Sequence, residues 1–166
     1  TLLISNVMSG RDRVGDISAD NTQKMTQRIE SKKSLRLGFG PVFYKNLDEK
    51  DIAYGFTLGN SFETTPYFSL LMKADLAVNS EIIAGNVDLG ANFFFTSADI
   101  APYIGASFGL GAIRFDRSLA GFLAEARAGI MLFRTSSTHL EVGFRFQRFF
   151  QESKTENLAF SLSLLY

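Results

Sequence analysis

The chain contains no cysteine and no tryptophan, and its single histidine is His139. The absence of cysteine excludes disulfide bonds, thiolate zinc sites and cysteine nucleophiles. One histidine cannot form a His-rich metal site, and we expect neither a metal nor another cofactor. No run of about 18 apolar residues occurs, which excludes a transmembrane helix. The 17 basic and 17 acidic residues cancel, so we expect no electrostatic attraction to nucleic acid.

What the sequence does contain is alternation. From Ser34 to Tyr166, eight successive segments place apolar residues at every second position. A period of two predicts β-strands, and strands of about 9–11 residues can cross a bilayer when they are tilted. Short polar connections predict antiparallel hairpins between neighbouring strands. These connections are 46–50, 63–66, 79–81, 96–99, 116–118, 135–138 and 152–157.

The two faces of each predicted strand differ in residue size as well as polarity. In the fifth segment, Phe108 and Leu110 lie on one face, and Gly105, Ser107 and Gly109 lie on the other. A soluble eight-stranded barrel of the lipocalin type would turn its apolar face inward. Here the charged face is also the glycine face, and small residues suit the narrow interior of eight strands. We therefore predict an all-β fold, an eight-stranded antiparallel up-and-down transmembrane β-barrel with its apolar face toward lipid.

Residues 34–166, which end in an alternating strand that closes on an aromatic, resemble the eight-stranded outer-membrane barrels of the OmpA/OmpX type. The likeness is one of pattern and not of a sequence fingerprint. It implies a place in the outer membrane of the Gram-negative cell envelope, with both termini in the periplasm. It also implies contact with membrane lipid and lipopolysaccharide. Relatives in adhesion or receptor roles have long outer loops, whereas the connections here are short.

The resemblance extends to biogenesis. In such barrels the last strand is recognised by the barrel assembly machinery, which implies an assembly signal at four alternating residues. These are Phe160, Leu162, Leu164 and Tyr166.

Residues 1–33 lack this alternation. We expect a periplasmic segment or linker, or the end of a preceding domain, that reaches a periplasmic domain or partner. A short helix over 22–33 is predicted, with Asn21 as its N-cap. Because the chain begins at Thr1 without Met, we expect that it has been processed or belongs to a longer protein.

Charged residues on the predicted inward face are equal in number for the two signs. Buried charges must be paired, or each costs several kcal/mol, so the balance predicts a charge network that plugs the lumen. We expect one cluster on strands six and seven and a second on strands three and four, with Arg36 on strand one. The first cluster is Glu125, Arg127, Glu141 and Arg145, and the second is Lys73, Asp75 and Asp88.

Two features mimic catalytic motifs. Gly105–Gly109 matches the G-x-S-x-G pattern, which works as a strand-to-helix elbow, but Ser107 falls in mid-strand with no helix after it. Lipid A deacylases among barrels of this kind use a His–Ser pair that faces lipid, whereas His139 has inward parity at the start of strand seven. We therefore predict no catalytic residue and no enzyme.

Three functions fit the sequence. The leading hypothesis is a structural or anchoring protein of the envelope with a plugged lumen. The first alternative is a porin-like channel for ions or small solutes, opened when ion pairs exchange partners. The second alternative is a barrel enzyme that modifies lipid A.

Overall fold

The computed structural model describes residues 32–45, 52–114, 118–150 and 155–166. Eight antiparallel strands form one closed barrel in chain order, and this confirms the predicted fold class. The strands are β1 (Lys32–Lys45), β2 (Ile52–Thr65), β3 (Phe68–Val78), β4 (Ile83–Phe94), β5 (Ala101–Arg114), β6 (Ser118–Leu132), β7 (His139–Phe150) and β8 (Thr155–Leu165).

The first strand begins at Lys32, before the Ser34 that alternation indicated. The expected helix over 22–33 therefore cannot extend through Lys32 and Lys33, while its remainder and the rest of segment 1–33 lie outside the described residues. No helix in the described part of the chain is long and apolar enough to span a membrane.

The barrel has two ends. The Tyr166 end carries the start of β1, the C-terminus and three connections, which are residues 66–67, 95–100 and 133–138. At the Lys45 end lie the connection formed by residues 79–82, the ends of β1, β5 and β7, and the starts of β2, β6 and β8.

Large apolar side chains cover the outer wall. Phe108 is 72% exposed, and Tyr54 and Phe122 are each 70% exposed. An apolar surface of this extent is rare on soluble monomeric proteins. The alternate residues of the same strands point inward and are buried, among them Thr57, Ser107 and Glu125. The predicted orientation of the two faces is thus observed, with the apolar face outside.

Glycine on the inward face makes room for charged side chains. A Cβ atom at Gly105 would lie 2.9 Å from Nε of Arg127, and one at Gly90 would overlap Nη2 of the same guanidinium. The Arg127 side chain therefore lies flat against the inner wall over these two glycines.

Buried apolar residues form two layers in the interior, one near each end of the barrel, and the sequence pattern predicted neither. The layer at the Lys45 end contains Val42, Tyr44, Ala53, Ala77, Ile82, Ala84, Ile113, Leu123, Phe149 and Ala159. The layer at the Tyr166 end contains Phe94, Ala101, Tyr103, Met131 and Leu165. The charged residues of the interior therefore lie between these two layers, although some strand ends, such as those at His139 and Thr155, are also polar on the inward face.

Candidate functional site in the barrel interior

Lys73 forms the centre of the charged interior. It is 2% exposed and lies opposite Asp88 in the β3–β4 pairing. Its Nζ lies 3.1 Å from Oδ2 of Asp88 and 2.9 Å from Oε2 of Glu125, and it also contacts Oδ2 of Asp75. One ammonium group, with three N–H donors, thus serves three carboxylates from three strands.

Two arginines complete what we call the Lys73 cluster. Nη1 of Arg145 lies 2.6 Å from Oδ1 of Asp75 and 3.9 Å from Oε2 of Glu125. Nη1 of Arg127 lies 3.6 Å from Oε1 of Glu125. The cluster therefore holds three cations and three carboxylates, which leaves no net charge inside the wall.

Neutral side chains donate further hydrogen bonds to carboxylate oxygens that the cations already contact. Nδ2 of Asn86 donates to Oδ2 of Asp75 at 3.1 Å and to Oδ2 of Asp88 at 2.9 Å. Nε2 of Gln147 donates to Oε2 of Glu125 at 2.7 Å, and the Thr57 hydroxyl donates to Asp75. Such additional hydrogen bonds are what makes a buried ion-pair network tolerable.

A second group, the Arg36 pair, lies nearer the Tyr166 end. Nη1 and Nη2 of Arg36 reach Oε1 and Oε2 of Glu141, each at 2.5 Å, in a bidentate contact. The Tyr103 hydroxyl donates to Oε1 of Glu141 at 2.8 Å. Tyr103 thereby links this pair to the apolar layer of which it is a member.

The predicted division into two clusters is wrong. The structure joins Lys73 and its two aspartates to the β6 and β7 residues, and it pairs Glu141 with Arg36 of β1. Residues four apart on a strand are about 13 Å apart, so Glu141 lies far along β7 from Arg145. Side chains also reach across the narrow lumen, as between Lys73 on β3 and Glu125 on β6, and neighbour-strand reasoning does not detect such contacts.

The three carboxylates of the Lys73 cluster have the donor type of a cation site. One oxygen each of Asp75, Asp88 and Glu125 lies within 4.8 Å of the others. The Lys73 ammonium contacts all three residues, so it takes the place that a metal ion would need. The arrangement neutralises charge and offers no open coordination position.

Comparison with known proteins gives a match in structure and none in sequence. No protein-family model matches the chain, and no curated protein matches it either. The crystal structure of Neisserial surface protein A (NspA) superposes with a TM-score of 0.71 at 11% identity, over 80% of this chain and 95% of that one. The chain has the fold of the eight-stranded outer-membrane β-barrels.

Two further structures share this outer-membrane barrel fold. The N-terminal β-barrel domain of Pseudomonas aeruginosa OprF matches with a TM-score of 0.58 at 14% identity, over 82% of this chain and 100% of that one. The outer membrane enzyme PagL matches with a TM-score of 0.51 at 15% identity, over 80% of this chain and 97% of that one. The fold-level resemblance to outer-membrane barrels is confirmed.

The two residues that mimic catalytic motifs, Ser107 on β5 and His139 on β7, lie on different strands of this barrel. Ser107 is buried in the middle of β5, opposite Gly90 and Glu125, and the strand continues to Arg114 without an elbow. His139 is 1% exposed, and its Nδ1 lies 2.9 Å from the carbonyl oxygen of Phe133.

Arg134 is a residue that the sequence analysis did not single out. It lies in the β6–β7 connection, yet it is only 5% exposed, because its guanidinium stacks 3.8 Å above the Phe94 ring. Its Nε lies 3.2 Å from Oε1 of Glu63, and its Nη1 donates to the carbonyl oxygen of Thr96 at 2.9 Å. We call this arrangement the Arg134 cap, since it covers the apolar layer at the Tyr166 end.

The predicted assembly residues lie on the outward face of β8. Phe160, Leu164 and Tyr166 are 50%, 43% and 52% exposed, and Leu162 is 39% exposed. Their position suits recognition from the membrane side, and their role in assembly stays a prediction.

Proposed function

We propose that the chain is an integral outer-membrane barrel with a closed lumen, which acts as a structural or anchoring protein of the cell envelope. The observation that carries this proposal is the sealed interior, a neutral charge network between two apolar layers. The exposed apolar wall supports a place in a bilayer, and the shared fold favours the outer membrane. By the same likeness we place the Tyr166 end, and with it both termini, in the periplasm.

A closed lumen follows from the order of the layers. An ion that entered at the Lys45 end would first meet Tyr44, Leu123 and Phe149, each at most 4% exposed. Apolar constrictions of this kind exclude water and hence ions. The charges beyond them are already paired and offer no fixed charge to attract a permeating ion.

The channel alternative is tested by planar-bilayer recording on the wild type and on a Glu125→Ala/Arg145→Ala double variant. Insertion is verified in parallel by the migration of the unheated protein on a gel. We expect no conductance from the wild type. A wild-type conductance that changes in the double variant would contradict the closed lumen and establish the channel.

The structural role is tested in cells that lack the gene. We expect these cells to become more permeable to a bulky hydrophobic dye and to recover with the wild-type gene. An unchanged dye permeability would contradict a structural role in the envelope.

The burial of His139 supports a role without catalysis. It is the only histidine of the chain, and it faces the interior, so no His–Ser pair can form on the lipid face. The test is mass spectrometry of lipid A from cells with and without the protein. We expect identical profiles, whereas a loss or gain of acyl groups would show an enzyme.

A further inference from the structure

The connection between β6 and β7, residues 133–138, begins with a strained turn at the Tyr166 end. Phe133 has a φ of 58°, in the left-handed region, and no other non-glycine residue that the structure describes has a positive φ. The Phe133 carbonyl oxygen accepts two hydrogen bonds, from the amide of Ser136 at 2.9 Å and from Nδ1 of His139 at 2.9 Å. Because a left-handed conformation is costly for a bulky residue, these two bonds hold a turn that the backbone alone disfavours.

The same connection is tied to other parts of the Tyr166 end. The amide of Arg134 donates to the carbonyl oxygen of Asp99 at 3.1 Å, and the amide of Thr135 donates to Oδ1 of Asp99 at 3.0 Å. Nζ of Lys32 donates to the carbonyl oxygen of Ser136. The Phe133 turn and the Arg134 cap are therefore parts of one closed arrangement.

The His139 ring is held in its neutral form by this arrangement. A carbonyl oxygen only accepts hydrogen bonds, so Nδ1 carries the proton in the contact with Phe133, and Nε2 of the neutral ring has none. Nε2 is buried and has no hydrogen-bond partner among the residues that the structure describes. A second proton would thus place an N–H without an acceptor, and a positive charge, in a buried position.

The surroundings of His139 also disfavour a positive charge. Leu165, which lies opposite on β8, is apolar, and the next charged residue along β7 is Glu141, which Arg36 already binds. The charged side chains that act on His139 from the other elements are Lys32 of β1, Glu63 of β2 and Arg134 of the connection. Two of these three are cations, and the Glu63 carboxylate is bound by one of them. A protonated ring would therefore meet net repulsion.

We propose that the 133–138 connection, with its Arg134 cap, is a pH-sensitive closure of the Tyr166 end, which neutral His139 holds in place and protonation of Nε2 releases. Loss of the bond to Phe133 frees the strained turn, and Arg134 is the next residue in the chain. Release therefore moves the cap off the apolar layer and gives water access to Phe94, Tyr103 and Met131 from this end.

The direction of the pH dependence follows from where the proton is accepted. In the released form the ring is in water and gains its second proton near pH 6.5. Because the closed form excludes this proton, closure is strongest above that pH and weakens as the pH falls below it. A single proton accepted by the released form alone raises the released fraction about tenfold between pH 7.5 and pH 5.5.

The test is amide hydrogen exchange of the full chain in phosphatidylcholine nanodiscs, with each rate divided by the intrinsic rate at the same pH. We expect the amides of Arg134 and Ser136 to lose about tenfold in protection between pH 7.5 and pH 5.5. The amides of Asn79 and Ile82, which are hydrogen-bonded in the turn at the opposite end, should keep theirs. Constant protection at Arg134 and Ser136, or an equal loss at both ends, would overturn the proposal.

The matched variant is His139→Asn. Its side-chain amide keeps an N–H close to the position of Nδ1 and can donate to the Phe133 carbonyl, but it does not take up a proton. We expect Arg134 and Ser136 to be protected equally at the two pH values in this variant. If the variant still loses protection at pH 5.5, another group is responsible and His139 is not the switch. His139→Gln, whose amide lies one methylene further out, serves the same purpose if the asparagine variant does not fold.

Discussion

At the scale of single residues, the stability of the interior depends on the pairing of each buried charge with charges of the opposite sign. Lys73 illustrates this point, because its stem is enclosed by the wall and its ammonium contacts three carboxylates. Removing one member of a buried ion pair costs more than the pair contributes, since the partner stays buried and uncompensated. Stability should therefore respond strongly to the loss of Lys73.

We expect Lys73→Met to destabilise the barrel by about 3–5 kcal/mol, because three buried carboxylates lose their shared cation. The measurement is a urea titration in lipid vesicles, followed by the gel migration of the unheated protein. The matched control is Lys45→Met. The Lys45 side chain is 79% exposed and lies 3.9 Å from Glu156, so its loss should cost about 0–1 kcal/mol. Equal effects of the two substitutions would contradict the central role of Lys73.

The Arg134 cap leads to a prediction about access to the interior. Because the native chain has no cysteine, Met131→Cys places a single reactive thiol in the apolar layer at the Tyr166 end. Adding Arg134→Ala removes the stacking on Phe94 and the contacts to Glu63 and Thr96. We expect a polar maleimide to label the thiol faster in this double variant than in Met131→Cys alone. Arg114→Ala at the opposite end is the control and should not change the rate.

At the scale of the strand, alternation produces two faces with different surroundings. A strand with one apolar face serves a soluble barrel equally well if that face points inward. The distinguishing feature is that glycine and charge share the inward face, where a narrow barrel has little room. The outward face of β4 shows the consequence, since Ile83, Val87 and Leu89 are each more than half exposed.

We expect Leu89→Arg, in the middle of the outward face of β4, to destabilise the protein in vesicles by about 2–4 kcal/mol, because it places a charge at the bilayer midplane. Ile83→Arg at the start of the same strand should cost only about 0–1 kcal/mol, since it lies near the interface. Urea titrations in vesicles measure both values. If neither substitution has an effect, water and not lipid surrounds the wall.

At the scale of the whole molecule, closure of the sheet is the dominant property. All eight strands have a partner on both sides, so no strand edge is left to lipid. Within the described residues, the β1–β8 junction is the strand pairing of longest range in sequence, and it joins residues near the two ends of the described part. The barrel therefore closes only when its first and last strands meet.

We expect the unheated protein to migrate faster on a denaturing gel than the boiled protein, because the closed barrel stays compact until heat separates its strands. The comparison needs one preparation, split and loaded with and without boiling. Identical migration, together with solubility in the absence of detergent, would refute a membrane barrel.

The sequence by itself determined the strand number, the hairpin order and the direction of each face. These properties follow from local alternation and short connections, which act over a few neighbouring residues. The sequence also identified which charged residues point inward, because successive side chains of a strand alternate between its two faces. Arg36 and Glu141 were both recognised as inward in this way.

Only the tertiary structure decided which charges pair and which apolar residues meet in the interior. Pairing depends on the stagger of the strands and on reach across the lumen, so Glu141 meets Arg36 rather than Arg145. The apolar layers form because distant strands bring residues such as Tyr44 and Phe149 together at one level. The pairing of β1 with β8 likewise exists only because closure of the barrel brings the first and last strands together. Each of these features depends on spatial neighbours that are far apart in sequence, and a pattern read along one strand does not contain them.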